Sequence, residues 1–234
     1  GTQAGVVMDT AGNLFGTTFG GGAHASPDGS FGGTVFELTP NAAKTVWTEK
    51  VLYSFCAQRY CADGSSPDAG LIMDAAGRLY GTTSQGGNGG YAGYGTVFEL
   101  APNALKTKWA MTVLHRFCEQ PYCPEGFASN AGLITDRAGN LYGTTSQGGA
   151  AGGGGTAFVL TPNSARTKWT TTVLYGFCAL GGIDCTDGAF PQANLVMDRS
   201  GHLYGTTLIG GTHSVGNGEF NGSNYNGGTV FELR

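Results

Sequence analysis

The chain has 234 residues, a formal charge of −4 and only 12% charged side chains, with 43 glycines and 40% hydrophobic residues. That acidic balance excludes the basic face a nucleic-acid binder needs, and no apolar run reaches the roughly 18 residues of a membrane helix. Glycine this abundant without a Gly-X-Y period, interleaved with Val, Leu, Tyr, Phe and Thr, excludes collagen and points to short strands joined by tight turns.

Taken in order, the chain states one phrase pair four times. Gly12 to Thr18 is followed by Gly33 to Leu38, Gly77 to Thr83 by Gly95 to Leu100, Gly139 to Thr145 by Gly155 to Leu160, and Gly201 to Thr207 by Gly228 to Leu233. The glycines of the Gly-Thr-Thr triplets stand at 16, 81, 143 and 205, giving steps of 65, 62 and 62 residues. A fixed period of this size means stacked copies of one supersecondary unit.

The second copy shows the expected elements. Residues 69–74 form an apolar run that predicts a buried strand, and Asp74 to Gly77 a turn in which the carboxylate accepts backbone amides. Residues 78–83 alternate as a second strand, a glycine loop follows over 85–95, and residues 96–100 make a third. Pro102-Asn103 ends that strand, and residues 109–117 read as a fourth. Four antiparallel strands per unit of about 60 residues predict propeller blades. The expectation is an all-β, four-bladed β-propeller forming a single domain over 1–234, with repeats of about 1–66, 67–128, 129–190 and 191–234. The sequence closes on Leu233-Arg234, just after a third strand, so the last blade is expected to lack its fourth. Its unpaired edge predicts either chain-to-chain pairing, as a homo-oligomer or filament through the open fourth blade, or further residues beyond Arg234 that complete it.

The six cysteines fall into local pairs at one phase of the repeat: Cys56/Cys61, Cys118/Cys123 and Cys178/Cys185. Zinc sites bring Cys-x2-Cys spacings with partnering ligands, whereas here no histidine shares the phase, so three small disulfide loops are expected. Disulfides of this kind belong to an oxidising, extracytoplasmic setting.

The phrases Asn140-Leu-Tyr-Gly-Thr-Thr-Ser-Gln-Gly-Gly149, Gly95-Thr-Val-Phe-Glu-Leu100 and Val51-Leu-Tyr-Ser-Phe55, followed by Asp63-Gly64 and Pro67, resemble the bacterial tandem-repeat family called GloVer. The resemblance covers nearly the whole chain. It implies a secreted or cell-surface bacterial propeller and carries over no catalytic residues.

Function is sought where the copies differ. In a propeller the loops joining strands two and three, and those joining one blade to the next, open on one face. The glycine loops and disulfide loops are therefore expected together, opposite the Asp-x-x-Gly turns. Their acidic residues, Asp28, Asp63, Asp68, Asp187 and Glu219 among them, would make that face acidic, and the lysines and arginines of the turns would make the other basic. Gln3, Asp68, Asn130 and Gln192 recur just ahead of each innermost strand, where they would ring the axial channel. With one carboxylate among four, calcium would be held poorly, ordered water or plain polar lining is the better reading, and no metal or other cofactor is expected. His24, His213 and Glu219 are the candidates for acid–base chemistry, but no nucleophile elbow or metal spacing accompanies them. The leading reading is an extracellular binding module that recognises a glycan or cell-surface polymer through Asp68, Asn130, Gln192 and Tyr225. A polysaccharide lyase or hydrolase on the same face and a structural surface repeat are the alternatives, so enzyme activity is left open.

Overall fold

A computed structural model describes residues 4–24, 32–88, 93–149, 153–180, 185–211, 219–220, 223–224 and 227–234. The chain divides into two compact units, Gly1–Arg116 and Phe117–Arg234.

In the first unit, β1 (Val7–Met8), β2 (Leu14–Thr18), β3 (Thr34–Pro40) and β4 (Trp47–Ser54) form one antiparallel sheet in that order. Next come β5 (Ile72–Met73), β6 (Leu79–Thr83), β7 (Thr96–Pro102) and β8 (Trp109–Arg116), which repeat it. The second unit holds a third such sheet of β9 (Ile134–Thr135), β10 (Leu141–Thr145), β11 (Thr156–Pro162) and β12 (Trp169–Gly176). It continues with β13 (Ala189–Pro191), β14 (Val196–Met197) and β15 (Leu203–Ile209), a small hairpin of β16 (Glu219–Phe220) and β17 (Ser223–Asn224), and β18 (Val230–Leu233). In the fourth sheet β15 pairs with β14 and β18, while β13 pairs only with the far end of β15. These meanders are the blades of an all-β, four-bladed propeller fold, numbered here in chain order, and among the described residues no fourth meander strand follows β18 in the last.

Local chemistry explains each blade. At the first turn Asp9 Oδ1 accepts the amides of Ala11 and Asn13, both at 2.9 Å, and Gly12 takes φ of 88°, a region open to glycine. Asp74, Asp136 and Asp198 repeat the cap. At the hairpin between third and fourth strands, Asn41 Oδ1 accepts from Thr45, as Asn103 does from Thr107 and Asn163 from Thr167. A register shift recurs at Val35/Phe36, Val97/Phe98 and Ala157/Phe158, bending each outer strand at the same place.

The innermost strand is shorter than expected: β5 covers Ile72–Met73 rather than residues 69–74. The Ala69 carbonyl instead accepts from Thr17 Oγ1 of blade 1 at 3.0 Å, so that backbone group is satisfied between blades and not within one.

Blade-to-blade packing forms the core. In the first unit Phe15 and Val35 of blade 1 pack on Leu71, Leu79, Phe98 and Leu100 of blade 2, with Phe55 between them. Phe55 meets Phe98 edge-on, with ring centroids 5.0 Å apart. Gly81 has to be glycine because a Cβ there would stand 2.7 Å from the Phe98 ring and 2.8 Å from Leu71. The second unit repeats the contact with Phe177 against Phe231 at 4.8 Å.

Candidate ligand-binding face

Within each unit the disulfide loops lie against the glycine loops, as the sequence predicts. In unit 1 the Cys56–Cys61 loop is followed by Ser65, which exchanges two backbone bonds with Gln85 at 2.9 and 3.1 Å, and Gly87 N–H donates to the Cys61 carbonyl at 2.9 Å. On its other side Ser66 N–H donates to the Gly32 carbonyl of blade 1 at 2.8 Å. One disulfide loop thus ties two blades together. Unit 2 builds the same frame from Cys118–Cys123, with Phe127 paired to Gln147, and from Cys178–Cys185, with Phe190 N–H on the Gly154 carbonyl at 2.7 Å. Strand β13 is the longest version of this lacing.

A carboxylate fastens the loop from below. Asp63 is fully buried and accepts the Tyr53 hydroxyl at 2.7 Å and the amides of Ala57 and Gln58 at 3.0 and 3.1 Å. Burial and the bond to Asp63 push the Tyr53 hydroxyl well above the usual tyrosine range. Tyr175 and Asp187 repeat the clamp at 2.8 Å, and burial together with Asp187 pushes Tyr175 up to about 12. Asp63 is therefore an internal strut and half-buried Asp187 is engaged in the same way, which takes Asp63 off the expected acidic face and leaves Asp187 only partly on it. The other face is not simply basic either, because Asp74 pairs with Arg78 at 2.7 Å and Asp9 with Lys106 at 3.4 Å. Against the cost of burial, the amides of Asn13 and Ala11, the Asn13 side chain and Lys106 hold the Asp9 carboxyl below its usual range.

Above this frame stand two features. Tyr60 and Tyr122 each precede the second cysteine of their loop, with φ of 59° and 66°, a left-handed conformation unusual for an aromatic residue. Both are turned outward, 46% and 96% exposed, and the Arg59 guanidinium lies 4.4 Å from the Tyr60 ring centre. Leu180, in the third loop, is an exposed apolar residue.

The second feature is the position ahead of each innermost strand. Half-buried Asp68 accepts from Ser84 Oγ at 3.1 Å through Oδ2, while its enclosed Oδ1 has no donor among the described residues. Ser84 carries one hydroxyl hydrogen and a second acceptor, the Ser66 carbonyl at 2.9 Å. Burial lifts the Asp68 carboxyl above its usual range, and the Ser84 bond offsets only part of this. In blade 3, Asn130 stands in the same place, but its amide donates to Ser146 Oγ at 3.2 Å, and the Ser146 hydroxyl is left to donate to the Ala128 carbonyl at 2.9 Å. Blade 4 has Gln192, exposed, with Leu208 where the serine would be.

Of the other expected residues, His24 is exposed in the first glycine loop and its carbonyl accepts from Gly32. Glu219 lies on the backbone of β16. His213, Tyr225, Gln3 and Asp28 lie outside the described residues. Among the described residues no group of three or more His, Cys, Asp or Glu side chains is placed to hold a metal, and no helix is long and apolar enough to cross a membrane. The sequence reading passed over Tyr60. The signal was present as the Tyr-Cys dipeptide repeated at 60–61 and 122–123.

The turn face carries clefts of its own. One of about 400 Å³ in unit 1 is lined by Met8, Asp9, Met73, Asp74 and Lys106, and one of about 690 Å³ in unit 2 by Asp136, Arg137, Met197, Asp198 and Arg199.

No curated protein matches the sequence. Among solved structures, a xylan β-1,4-xylosidase from Bacillus halodurans is similar with a TM-score of 0.51 at 14% identity, covering 100% of this chain and 42% of that one. A GH43 protein from Bacillus licheniformis gives a TM-score of 0.44 at 10% identity, covering 88% of this chain and 37% of that one. The chain thus spans less than half the length of either, and the first likeness is one of fold. The repeat pattern itself is matched from residue 1 to residue 218, and the chain belongs to the Gloeobacter/Verrucomicrobia repeat family.

Proposed function

We propose that this chain is an extracellular propeller module that binds a neutral polysaccharide on the face of its disulfide and glycine loops. The observation that carries the reading is the pair Tyr60 and Tyr122, two aromatic rings exposed at one blade position on loops fixed by a disulfide. An exposed ring in a left-handed conformation costs stability, roughly 1–3 kcal/mol, which is characteristic of functional positions. A rigid tyrosine offers an apolar face for a sugar ring and a hydroxyl at its edge. Asp68 adds an acceptor whose needs the protein does not meet, and a small rotation of this half-exposed carboxylate would present it to a sugar hydroxyl. The net charge of −4 favours a neutral polymer over an acidic one. Xylan is the natural first probe, given the fold likeness to a xylosidase. Three disulfides in short loops suit secretion or the cell surface.

The test is retention on insoluble xylan and other neutral polysaccharides. Tyr60→Ala/Tyr122→Ala should weaken binding by about tenfold or more, with thermal stability unchanged because both rings are exposed. Retention equal to wild type would remove the tyrosines from the site. Cleavage of the polymer by wild type that is lost in His24→Ala or Glu219→Gln would replace this reading with the hydrolase or lyase one.

Asp68→Asn makes a separate prediction. It should reproduce the arrangement of Asn130 and raise stability at neutral pH by up to about 1 kcal/mol, the half-exposed carboxylate being partly screened by water. Because the folded-state carboxyl titrates above the ordinary value of 3.8, its cost is present at neutral pH and disappears below 3.8. Melting curves of the two proteins should converge in acid while xylan binding at neutral pH falls. Equal stability at all pH values would contradict the strain assigned to Asp68.

A further inference from the structure

The two disulfide loops that carry exposed tyrosines share a frame and differ in charge. In unit 1, exposed Arg59 lays its guanidinium over the Tyr60 ring, 4.4 Å from the centre, and donates through Nη2 to the Tyr60 hydroxyl. A second guanidinium reaches the loop from blade 2, where Arg116 at the end of β8 donates from Nε to the Ala62 carbonyl at 3.0 Å. Neither arginine has a carboxylate partner among the described residues. The carboxylate nearest in sequence, Asp63, is fully buried and already accepts three bonds. Unit 2 lacks both cations. Pro121 stands in the place of Arg59, and Gly176, which pairs with Thr156 as Arg116 pairs with Thr96, has no side chain to send to its loop. Glu119 and Glu125 hold the places of Ala57 and Asp63, and Glu119 is exposed.

We infer that the unit 1 loop is a subsite for the carboxylate of an acidic sugar, and that the polymer held on this face is a neutral chain bearing sparse uronate branches. The inference rests on the tyrosine platforms of the proposed function and names what one of them selects. A guanidinium fork fits a planar carboxylate and can donate two parallel bonds to it, and stacking on the Tyr60 ring holds the Arg59 fork in place beforehand. Arg59 covers one face of that ring, so a sugar stacks on the other, with its branch within reach of both arginines. Tyr122, 96% exposed, carries no such cover, and the glutamates of its loop repel a carboxylate. Acidic charge on the ligand is therefore tolerated at one loop and refused at the other, which suits sparse branches rather than a continuous polyanion.

The test is affinity electrophoresis with a xylan carrying glucuronate branches, and with the same polymer after its carboxyl groups have been reduced to alcohols. The wild-type chain should hold the native polymer roughly fivefold more tightly at low salt, and the ratio should shrink as salt is added. Arg59→Gln/Arg116→Gln should bind the two polymers equally. Arg59→Gln alone, at an exposed position that leaves the Arg116 bond to Ala62 in place, should already lower the ratio. Lys44→Gln, at an exposed lysine of the β3–β4 hairpin, should keep the wild-type ratio. Equal binding of both polymers by the wild type overturns this inference and leaves the tyrosine platforms standing. A ratio unchanged in Arg59→Gln, or lost in Lys44→Gln as well, also overturns it, since the attraction would then be diffuse. A wild-type chain that holds neither polymer overturns the platform reading, and this inference falls with it.

Discussion

Phe98→Ala is expected to lower stability by about 3–5 kcal/mol, the cost of emptying a fully enclosed aromatic site. Phe98 is buried against Phe55, beside Leu71 and the Gly81 backbone, and Gly81 lacks a side chain so that the ring can lie there. Nothing nearby can collapse into the space, because the neighbouring positions are strand backbone held in register on both sides. The same substitution at Phe231 should cost distinctly less, because that ring is only half-buried. Urea unfolding followed by tryptophan fluorescence makes the comparison, with Trp47 and Trp109 reporting on unit 1 and Trp169 on unit 2. Equal losses at Phe98 and Phe231 would contradict the dependence on burial.

Asp63→Ala is the second large effect, at about 3 kcal/mol. The substitution leaves the Tyr53 hydroxyl and the Ala57 and Gln58 amides without their acceptor in a buried place. Tyr53→Phe removes one donor and leaves the others satisfied, and should cost about 1 kcal/mol. The clamp also has a signature in alkali. Tyr175 has its hydroxyl pushed from 10.0 up to about 12, so the stability it contributes is complete below pH 10 and is lost as pH rises towards 12. Ultraviolet difference absorbance should show tyrosines that ionise late, together with unfolding. Asp187→Ala should make one of them ionise earlier, though burial still holds it above the ordinary range.

The blades were legible because their chemistry is local. An aspartate three residues ahead of a glycine caps a turn, and a β-forming phrase repeated at a fixed step gives strands of the same kind each time. The disulfide loops followed from cysteine phase, and their contact with the glycine loops from propeller topology. Asp63 and Asp187 were misread as surface charge because their partners, Tyr53 and Tyr175, lie ten or twelve residues back on the fourth strand. A bond across that distance has no periodic trace unless tyrosine and aspartate are read together. Tyr60 was passed over because its exposure depends on a left-handed backbone, which no propensity encodes. Asp68 and Asn130 were found by their phase in the repeat, but the unequal hydrogen bonding of the two needed the serine geometry.

Hydroxyl-radical footprinting with a xylan-derived oligosaccharide tests the central claim, that ligand is held on the loop face, most directly. The account predicts protection of Tyr60 and Tyr122, with Met8, Met73 and Met197 on the turn face reacting at the unliganded rate. Protection of those methionines with Tyr60 and Tyr122 unchanged would place the ligand in the clefts beside the aspartate turns and contradict it.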